Sequence, residues 1–329
     1  MEEKTIKKMC KKKIVSIIVP FYNESEVIRD FVIQLFAVIE DLTFTYEVIL
    51  INDGSNDDSE EIVKSYRSDH PELKIVSFTR NFGHQYALWA GIEAAEGDAI
   101  IMMDADLQHP PSLIPTLIER WLNGSMVVQT VRKDKRVPLF KKITSKIYYI
   151  LLNMISGYKF VPSTADFRLI DRRVVNELLR LQESDIFLRG LIFWLGFDTS
   201  FVEFDVEKRG AGKSKYSFFK MIRFAVSGVV SFSLLPLRIT AIFGLIISVL
   251  SFFVVIDSVY AKLFLSDLSP GWTSLMVGVF FIGGLSMIFL GIIGEYLGRI
   301  VLEVKNRPKF VIKESVGFEA KDIDLKCKE

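Results

Sequence analysis

The stretch Gly97-Asp98-Ala99-Ile100-Ile101-Met102-Met103-Asp104-Ala105-Asp106-Leu107-Gln108-His109-Pro110-Pro111 decides how the rest of the chain is read. Ala99 to Met103 is an apolar run of buried-strand length. His109-Pro110-Pro111 ends it, because proline has no N–H for a strand ladder and is pre-set for the first turn of a helix. An extended backbone sends residues i, i+2 and i+4 to one side. Asp104, Asp106 and Gln108 are therefore expected to present three oxygen-bearing side chains together at a strand end. Hard divalent cations such as Mg²⁺ or Mn²⁺ take such oxygens and keep positions open for phosphates. The expectation is a metal–diphosphate site. The competing reading is an acidic turn that caps the next helix.

On either side of this stretch, strands and helices alternate. Strands are expected at Val15–Pro20, Tyr46–Ile51, Lys74–Phe78, Ala99–Met103 and Met126–Val131. Helices are expected at Glu24–Asp41, Asp57–Arg67, Gln85–Ala95, Ser112–Leu122 and, further on, Arg172–Leu181. The first helix has apolar residues at helical spacing: Val27, Phe31, Leu35, Val38 and Leu42. This alternation implies an α/β domain, a mostly parallel Rossmann-like sheet with helices on both faces. Such sheets bind ligands beyond the carboxyl ends of their strands. Tyr22-Asn23-Glu24, Asp53-Gly54-Ser55, Arg80-Asn81 and Asp104-Ala105-Asp106 all fall there. No G-x-G-x-x-G follows the first strand and no G-x-x-x-x-G-K-[ST] occurs, which argues against a dinucleotide enzyme and a P-loop NTPase.

The chain has 329 residues, 50% hydrophobic and 25% charged, with a net charge of +1, so it lacks the basic field of a nucleic-acid binder. Cys10 and Cys327 offer neither a disulfide framework nor metal-ligand spacing. Lys7, Lys8, Lys11, Lys12 and Lys13 form a basic amino-terminal arm suited to anionic headgroups or to plain solvation, and no signal peptide is expected. Lys141–Ile155 reads as an amphipathic helix. From Phe224 to Gly298 apolar residues and glycine dominate. The run between Arg223 and Arg238 is too short to cross a hydrocarbon core about 30 Å thick and reads as an interfacial helix. Ile239–Ile256 and Leu268–Gly294 carry no charge and are long enough to span. Arg223, Arg238, Arg299, Lys305, Arg307 and Lys309 lie on the side away from the short connecting loop. The positive-inside rule then makes both termini and the α/β domain cytoplasmic. The expected organisation is a basic arm (1–13), a catalytic domain (14–215), an interfacial juxtamembrane helix (216–236), two transmembrane helices (237–298, about 239–260 and 270–294) and a cytoplasmic tail (299–329).

Pro20-Phe21-Tyr22-Asn23-Glu24, Asn52-Asp53-Gly54-Ser55, Arg80-Asn81-Phe82-Gly83 and Asp104-Ala105-Asp106-Leu107-Gln108, in this order, resemble a family 2 (GT-A) glycosyltransferase. Asp166-Phe167-Arg168-Leu169 and Arg209-Gly210-Ala211-Gly212-Lys213-Ser214-Lys215-Tyr216 narrow the resemblance to polyprenyl-phosphate glycosyltransferases, the bactoprenol glucosyltransferase and dolichol-phosphate mannose synthase group. It covers roughly residues 14 to 310.

The resemblance implies that Asp106 and Gln108 contact the metal, with Asp104 on the metal or the nucleotide. It gives Pro20, Tyr22, Glu24 and Asp53 to the base and ribose, with Arg80 on the same nucleotide-sugar side. Asp166 matches the family's proposed base. A polyprenyl monophosphate is mostly dianionic at neutral pH, its second pKa being about 6, so Asp166 is expected to position the acceptor more than to remove a proton. The bland reading of Asp166 is an ion pair with Arg168. Arg132, Arg168, Lys208, Arg209, Lys213 and Lys215 are candidates for the acceptor phosphate, arginine binding it bidentately and lysine as a point charge. His84 stands where the family often has lysine.

The reaction implied is inverting, metal-dependent transfer of one sugar, from UDP-glucose or a related UDP-hexose, to undecaprenyl phosphate. A GDP-mannose-using dolichyl-phosphate enzyme is one alternative. A membrane-tethered nucleotide-sugar binding protein without turnover is the alternative of another class. A processive synthase is disfavoured, because Gln182 is followed by Glu183-Ser184-Asp185-Ile186 and not by Q-x-x-R-W. The family suggests a homo-oligomer, a tetramer.

Overall fold

The computed structural model of the chain describes residues 13–133, 161, 164–184, 186–205, 235–264 and 271–318. The basic arm up to Lys12, the helix expected at 141–155, residues 216–234 of the interfacial helix expected at 216–236, and Lys208, Arg209, Lys213 and Lys215 lie outside the described residues, while Leu235 and Pro236 belong to the long helix that follows. The chain divides into two compact units, and the segment from Pro308 onward joins the amino-terminal one.

The first unit is built on strands β1 (Ile14–Phe21), β2 (Thr45–Asn52), β3 (Leu73–Phe78) and β4 (Ala99–Met102), which pair in parallel. Val15 to Phe21 is buried throughout. A parallel strand covered on both faces needs a near-continuous apolar run of this kind. Helix α1 (Ile28–Ile39) turns Ile28, Phe31, Val32, Leu35, Phe36 and Ile39 into the core, each large side chain contributing about 1.5–3 kcal/mol by leaving water. Helices α2 (Ser59–Ser65) and α3 (His84–Ala94) make the next two crossovers. A short 3₁₀ turn (Pro111–Leu113) leads into α4 (Ile114–Leu122), with proline in the first turn as expected.

The fifth strand, β5 (Val127–Lys133), falls on the run where it is expected, and around it the sheet differs from the expectation. Among the described residues its eight strands run in the order β7 (Thr199–Asp205), β5, β6 (Thr164–Asp171), β4, β1, β2, β3, β8 (Ile312–Val316). Strand β6 is inserted antiparallel between β4 and β5, and β7 extends the edge parallel to β5. Strand β6 gives no clear sequence signal because it carries Asp166 and Arg168 among its apolar residues. Those polar groups are tolerated because they pair with one another. Helices α5 (Arg172–Leu178) and α6 (Leu188–Leu195) lie between β6 and β7 in the chain. The segment expected as a tail carries β8 (Ile312–Val316), antiparallel to β3.

The second unit holds two long helices, α7 (Leu235–Phe264) and α8 (Trp272–Val304), which contain most of the two expected spans. Among the described residues one stretch, Phe281–Val304, is long and apolar enough to cross a membrane by length and composition. Leu245, Leu250 and Phe252 on α7 and Phe281, Met287 and Leu290 on α8 are exposed.

Candidate active site

The carboxyl ends of β1 to β4 carry loops that are tied to one another. Asn23, in the left-handed region at φ 54°, accepts the Asn56 N–H on its side-chain oxygen at 2.8 Å, and its own N–H donates to the Ser55 hydroxyl at 3.1 Å. Asp57 accepts the Ser25 N–H at 3.1 Å. The buried Asp53 carboxylate accepts the N–H groups of Phe82, at 2.7 Å, and Gly83, at 3.0 Å. Burial raises the Asp53 pKa, and these backbone bonds pull against it. Gly54, at φ +70°, lies so close to the Arg80–Asn81 backbone that a Cβ would sit 2.4 Å from the Arg80 carbonyl carbon. Only glycine fits there. Of the residues expected on the nucleotide side, Tyr22 is 40% exposed, Glu24 is partly buried at the start of the first crossover, Pro20 is buried in β1, and Arg80 lies over the Phe82 ring at 4.0 Å.

The acidic motif is not the extended run that alternation predicts. Strand β4 ends at Met102, residues 105–109 form bends, and Leu107 has φ 59°. The Asp106 carboxylate accepts the Gln108 N–H at 3.0 Å and shapes this loop. Gln108 is buried and His109 fully so. Among the described residues no group of three His, Cys, Asp or Glu side chains gathers for a metal. The chemistry offered is two carboxylates and an amide. Among the described residues no hydrogen-bond donor meets the buried Asp104 Oδ1, and burial pushes the Asp104 pKa up to about 6, with His84 opposing and Asp166 and Asp106 adding. A buried carboxylate oxygen without a donor, beside a second acid, is a donor set that fits a hard divalent cation.

His109 underlies the motif. Burial, and then the Arg132 guanidinium beside it, lower its pKa to about 3, so the ring is neutral. A neutral imidazole has one acceptor nitrogen. Two donors compete for it: the Asp104 N–H, 3.0 Å from Nδ1, and Arg132, 2.8 Å from Nε2.

Strand β6 brings Asp166 to the same edge. The His84 imidazole at the start of α3 stands 3.4 Å from Asp104 Oδ1 and 3.8 Å from Asp166 Oδ2. Asp166 Oδ1 accepts from Arg168 at 2.6 Å and from Arg189 at 3.2 Å. Burial alone would raise the Asp166 pKa, but the two guanidiniums outweigh it and hold the group well below the usual carboxylate range. Arg168 is 1% exposed, and among the described residues its Nε and Nη1 have no hydrogen-bond partner. Burial lowers its pKa to about 10, with Asp166 opposing, so it stays cationic.

Arg189 is absent from the expected site residues. It lies on α6, whose start is pinned by Gln85 accepting the Leu188 N–H at 3.1 Å. The sequence signal was the unusually apolar run Phe187–Leu195 that contains it, which the resemblance places near the acceptor cleft without giving Arg189 a role. Of the six expected acceptor-side cations, Arg132 and Arg168 are described, Arg168 beside Asp166 and Arg132 beside His109.

A Rossmann-like sheet with an acidic loop after β4 and an acid–arginine cluster on the adjoining antiparallel strand is the architecture of a GT-A glycosyltransferase. The chain belongs to glycosyl transferase family 2, whose family model matches residues 16–179, and it is a glycosyltransferase. It is 41% identical over 307 residues to the Bacillus subtilis glycosyltransferase YkcC, covering 93% of this chain and 95% of that one. It is 39% identical over 302 residues to the SfII prophage-derived bactoprenol glucosyl transferase of Shigella flexneri, covering 92% and 98%. Among solved structures, glucosyl-3-phosphoglycerate synthase from Mycobacterium tuberculosis, in complex with Mn²⁺, UDP and glucosyl-3-phosphoglycerate, shares the fold. Its TM-score is 0.52 and its identity 19%, over 69% of this chain and 81% of that one.

Proposed function

We propose that the enzyme transfers one hexose, with inversion, from a UDP-sugar to a polyprenyl phosphate at the cytoplasmic membrane face. The observation that carries the reading is the approach of Asp104 and the Asp166–Arg168–Arg189 cluster to one imidazole, His84, at the carboxyl edge of the sheet. A donor diphosphate needs a cation site, and an acceptor phosphate needs fixed positive charge close to it. The edge offers both. Asp104, Asp106 and Gln108 would hold Mg²⁺ or Mn²⁺, which when bound neutralises charge on the leaving diphosphate. Tyr22, Glu24, Asp53 and Arg80 serve the nucleotide, and Pro20 shapes the floor beneath it. Arg132 and Arg168, with Lys208, Arg209, Lys213 and Lys215, serve the acceptor. Asp166 holds Arg168 and Arg189 in place. The acceptor phosphate is already ionised, so direct displacement at the sugar needs no enzyme nucleophile. The bactoprenol glucosyl transferases at 37–39% identity support this acceptor class. The Mn²⁺ and UDP in the fold neighbour support the donor and metal class.

Purified enzyme with labelled UDP-glucose, undecaprenyl phosphate and Mg²⁺ is expected to give a lipid-extractable labelled product. GDP-mannose with dolichyl phosphate is expected to give much less. Nucleotide-sugar binding without any product, across a panel of UDP- and GDP-sugars, would leave a binding protein in place of an enzyme.

The two-span anchor in α7 and α8, the cytoplasmic catalytic domain and the interfacial helix before them are part of the proposal, as is assembly into a homo-oligomer. A cysteine placed at Ser269 is expected to react with an impermeant thiol reagent added outside intact cells, and one at Ser214 is not. Equal labelling of both positions would overturn the topology.

A further inference from the structure

Strand β8 and the residues that lead into it have no part in the transfer proposed above, yet two separate threads of contacts run from them to the donor-side loops. The first is aromatic. Phe310 stacks on Phe78 with ring centroids 4.9 Å apart, and Phe78 meets the edge of Phe82 at 5.7 Å. Phe82 carries the Arg80 guanidinium on its face and donates its N–H to Asp53. The Val311 carbonyl accepts the Thr79 N–H at 3.0 Å, and Lys309 lies 3.8 Å from the Trp89 ring centroid on α3.

The second thread is ionic. Lys64 bridges Glu314 of β8, at 2.7 Å, and Glu60, at 2.8 Å. The buried Glu60 carboxylate accepts from the Asn52 amide at 2.8 Å and the Ser77 hydroxyl at 3.1 Å. Asn52 in turn accepts the Ser55 N–H at 2.8 Å. Both threads end on the two loops that Gly54 packs together without clearance.

We infer that the segment Lys309–Val316 is a positioning element of the donor site, holding the Asn52–Ser55 and Arg80–Gly83 loops in the conformation that receives a nucleoside diphosphate. The inference rests on the donor reading above. Phe310 and Lys64 are its positioning residues, acting through Phe78–Phe82 and through Glu60–Asn52.

The test uses the full-length enzyme and two readouts: UDP affinity by calorimetry with Mn²⁺ present, and KM for donor and acceptor separately. Phe310→Ala is expected to weaken UDP binding and raise donor KM by about tenfold, the scale of losing one aromatic pair, with acceptor KM within about twofold. Phe310→Tyr restores both. Lys64→Met, at the half-exposed end of the ionic thread, is expected to move the same two quantities by about threefold, and it serves if Phe310→Ala fails to fold. Wild-type UDP affinity in both variants, or an equal rise in both KM values, overturns the inference and leaves β8 as a sheet edge only. A wild-type enzyme that binds neither UDP nor GDP overturns the donor reading and this inference with it.

Discussion

Asp106→Asn is expected to abolish transfer, by about 10³-fold or more. A bound cation supplies several kcal/mol of charge stabilisation to a leaving diphosphate, and about 1.4 kcal/mol is a decade in rate. The substitution separates charge from shape. The asparagine oxygen still accepts the Gln108 N–H that shapes the loop, so the motif keeps its bends and loses one negative charge. EDTA is expected to do the same to the wild-type enzyme, reversibly, with Mg²⁺ or Mn²⁺ restoring turnover. Asp104 adds a pH signature. Its pKa is raised to about 6 by burial, above the unfolded value of about 3.9. At this group the folded apoenzyme therefore binds more protons than the unfolded chain between pH 4 and 6, and the stability that Asp104 contributes falls as pH rises through that window. Added Mg²⁺ should recover that loss above pH 6 and little of it below pH 5, measured as a shift in Tm. Full turnover in EDTA, or a Tm that ignores Mg²⁺ at every pH, would remove the metal from this site.

The second large effect is expected at Asp166. Replacing it by asparagine leaves the buried Arg168 and the neighbouring Arg189 without their shared carboxylate. Breaking a buried pair from one side costs about 3–5 kcal/mol, so Tm should drop. The kcat should fall about 10²-fold as the cations lose their positions. Residual activity is expected to persist and to be highest above pH 7, where the acceptor phosphate has lost its last proton. The reason is that wild-type Asp166 is held ionised far below this range by its two arginines, which makes it a poor proton acceptor and a good anchor. The measurement is kcat, both KM values and Tm from pH 6 to 9. A variant with unchanged Tm that is inactive at every pH would favour an essential base over an anchor.

Strands β1 to β4, the crossover helices between them and the polar clusters at their carboxyl ends were legible in the sequence, because buried parallel strands are written as continuous apolar runs. Strand β6 was not, since its signal is broken by Asp166 and Arg168, which are accommodated by their ion pair, by Arg189 on Asp166 and by the Ala165 carbonyl that accepts from Arg168. Alternation along an extended chain gave the wrong geometry for Asp104, Asp106 and Gln108. The turn bond from Asp106 and the left-handed Leu107 bend the loop, and no periodicity encodes that.

By itself the sequence determined the fold class, the motif order and the chemistry available: carboxylates after β4, an acid and an arginine two residues apart, and long apolar helices late in the chain. These follow from residue type and spacing, which act locally. Only the tertiary structure decided that Arg189 faces Asp166, that His84 stands between Asp104 and Asp166, and that the residues after α8 return to the sheet as β8 beside β3. Each of those contacts joins parts of the chain far apart in sequence. Their energy comes from shared burial and paired charge, which exist only once the sheet has brought the partners together.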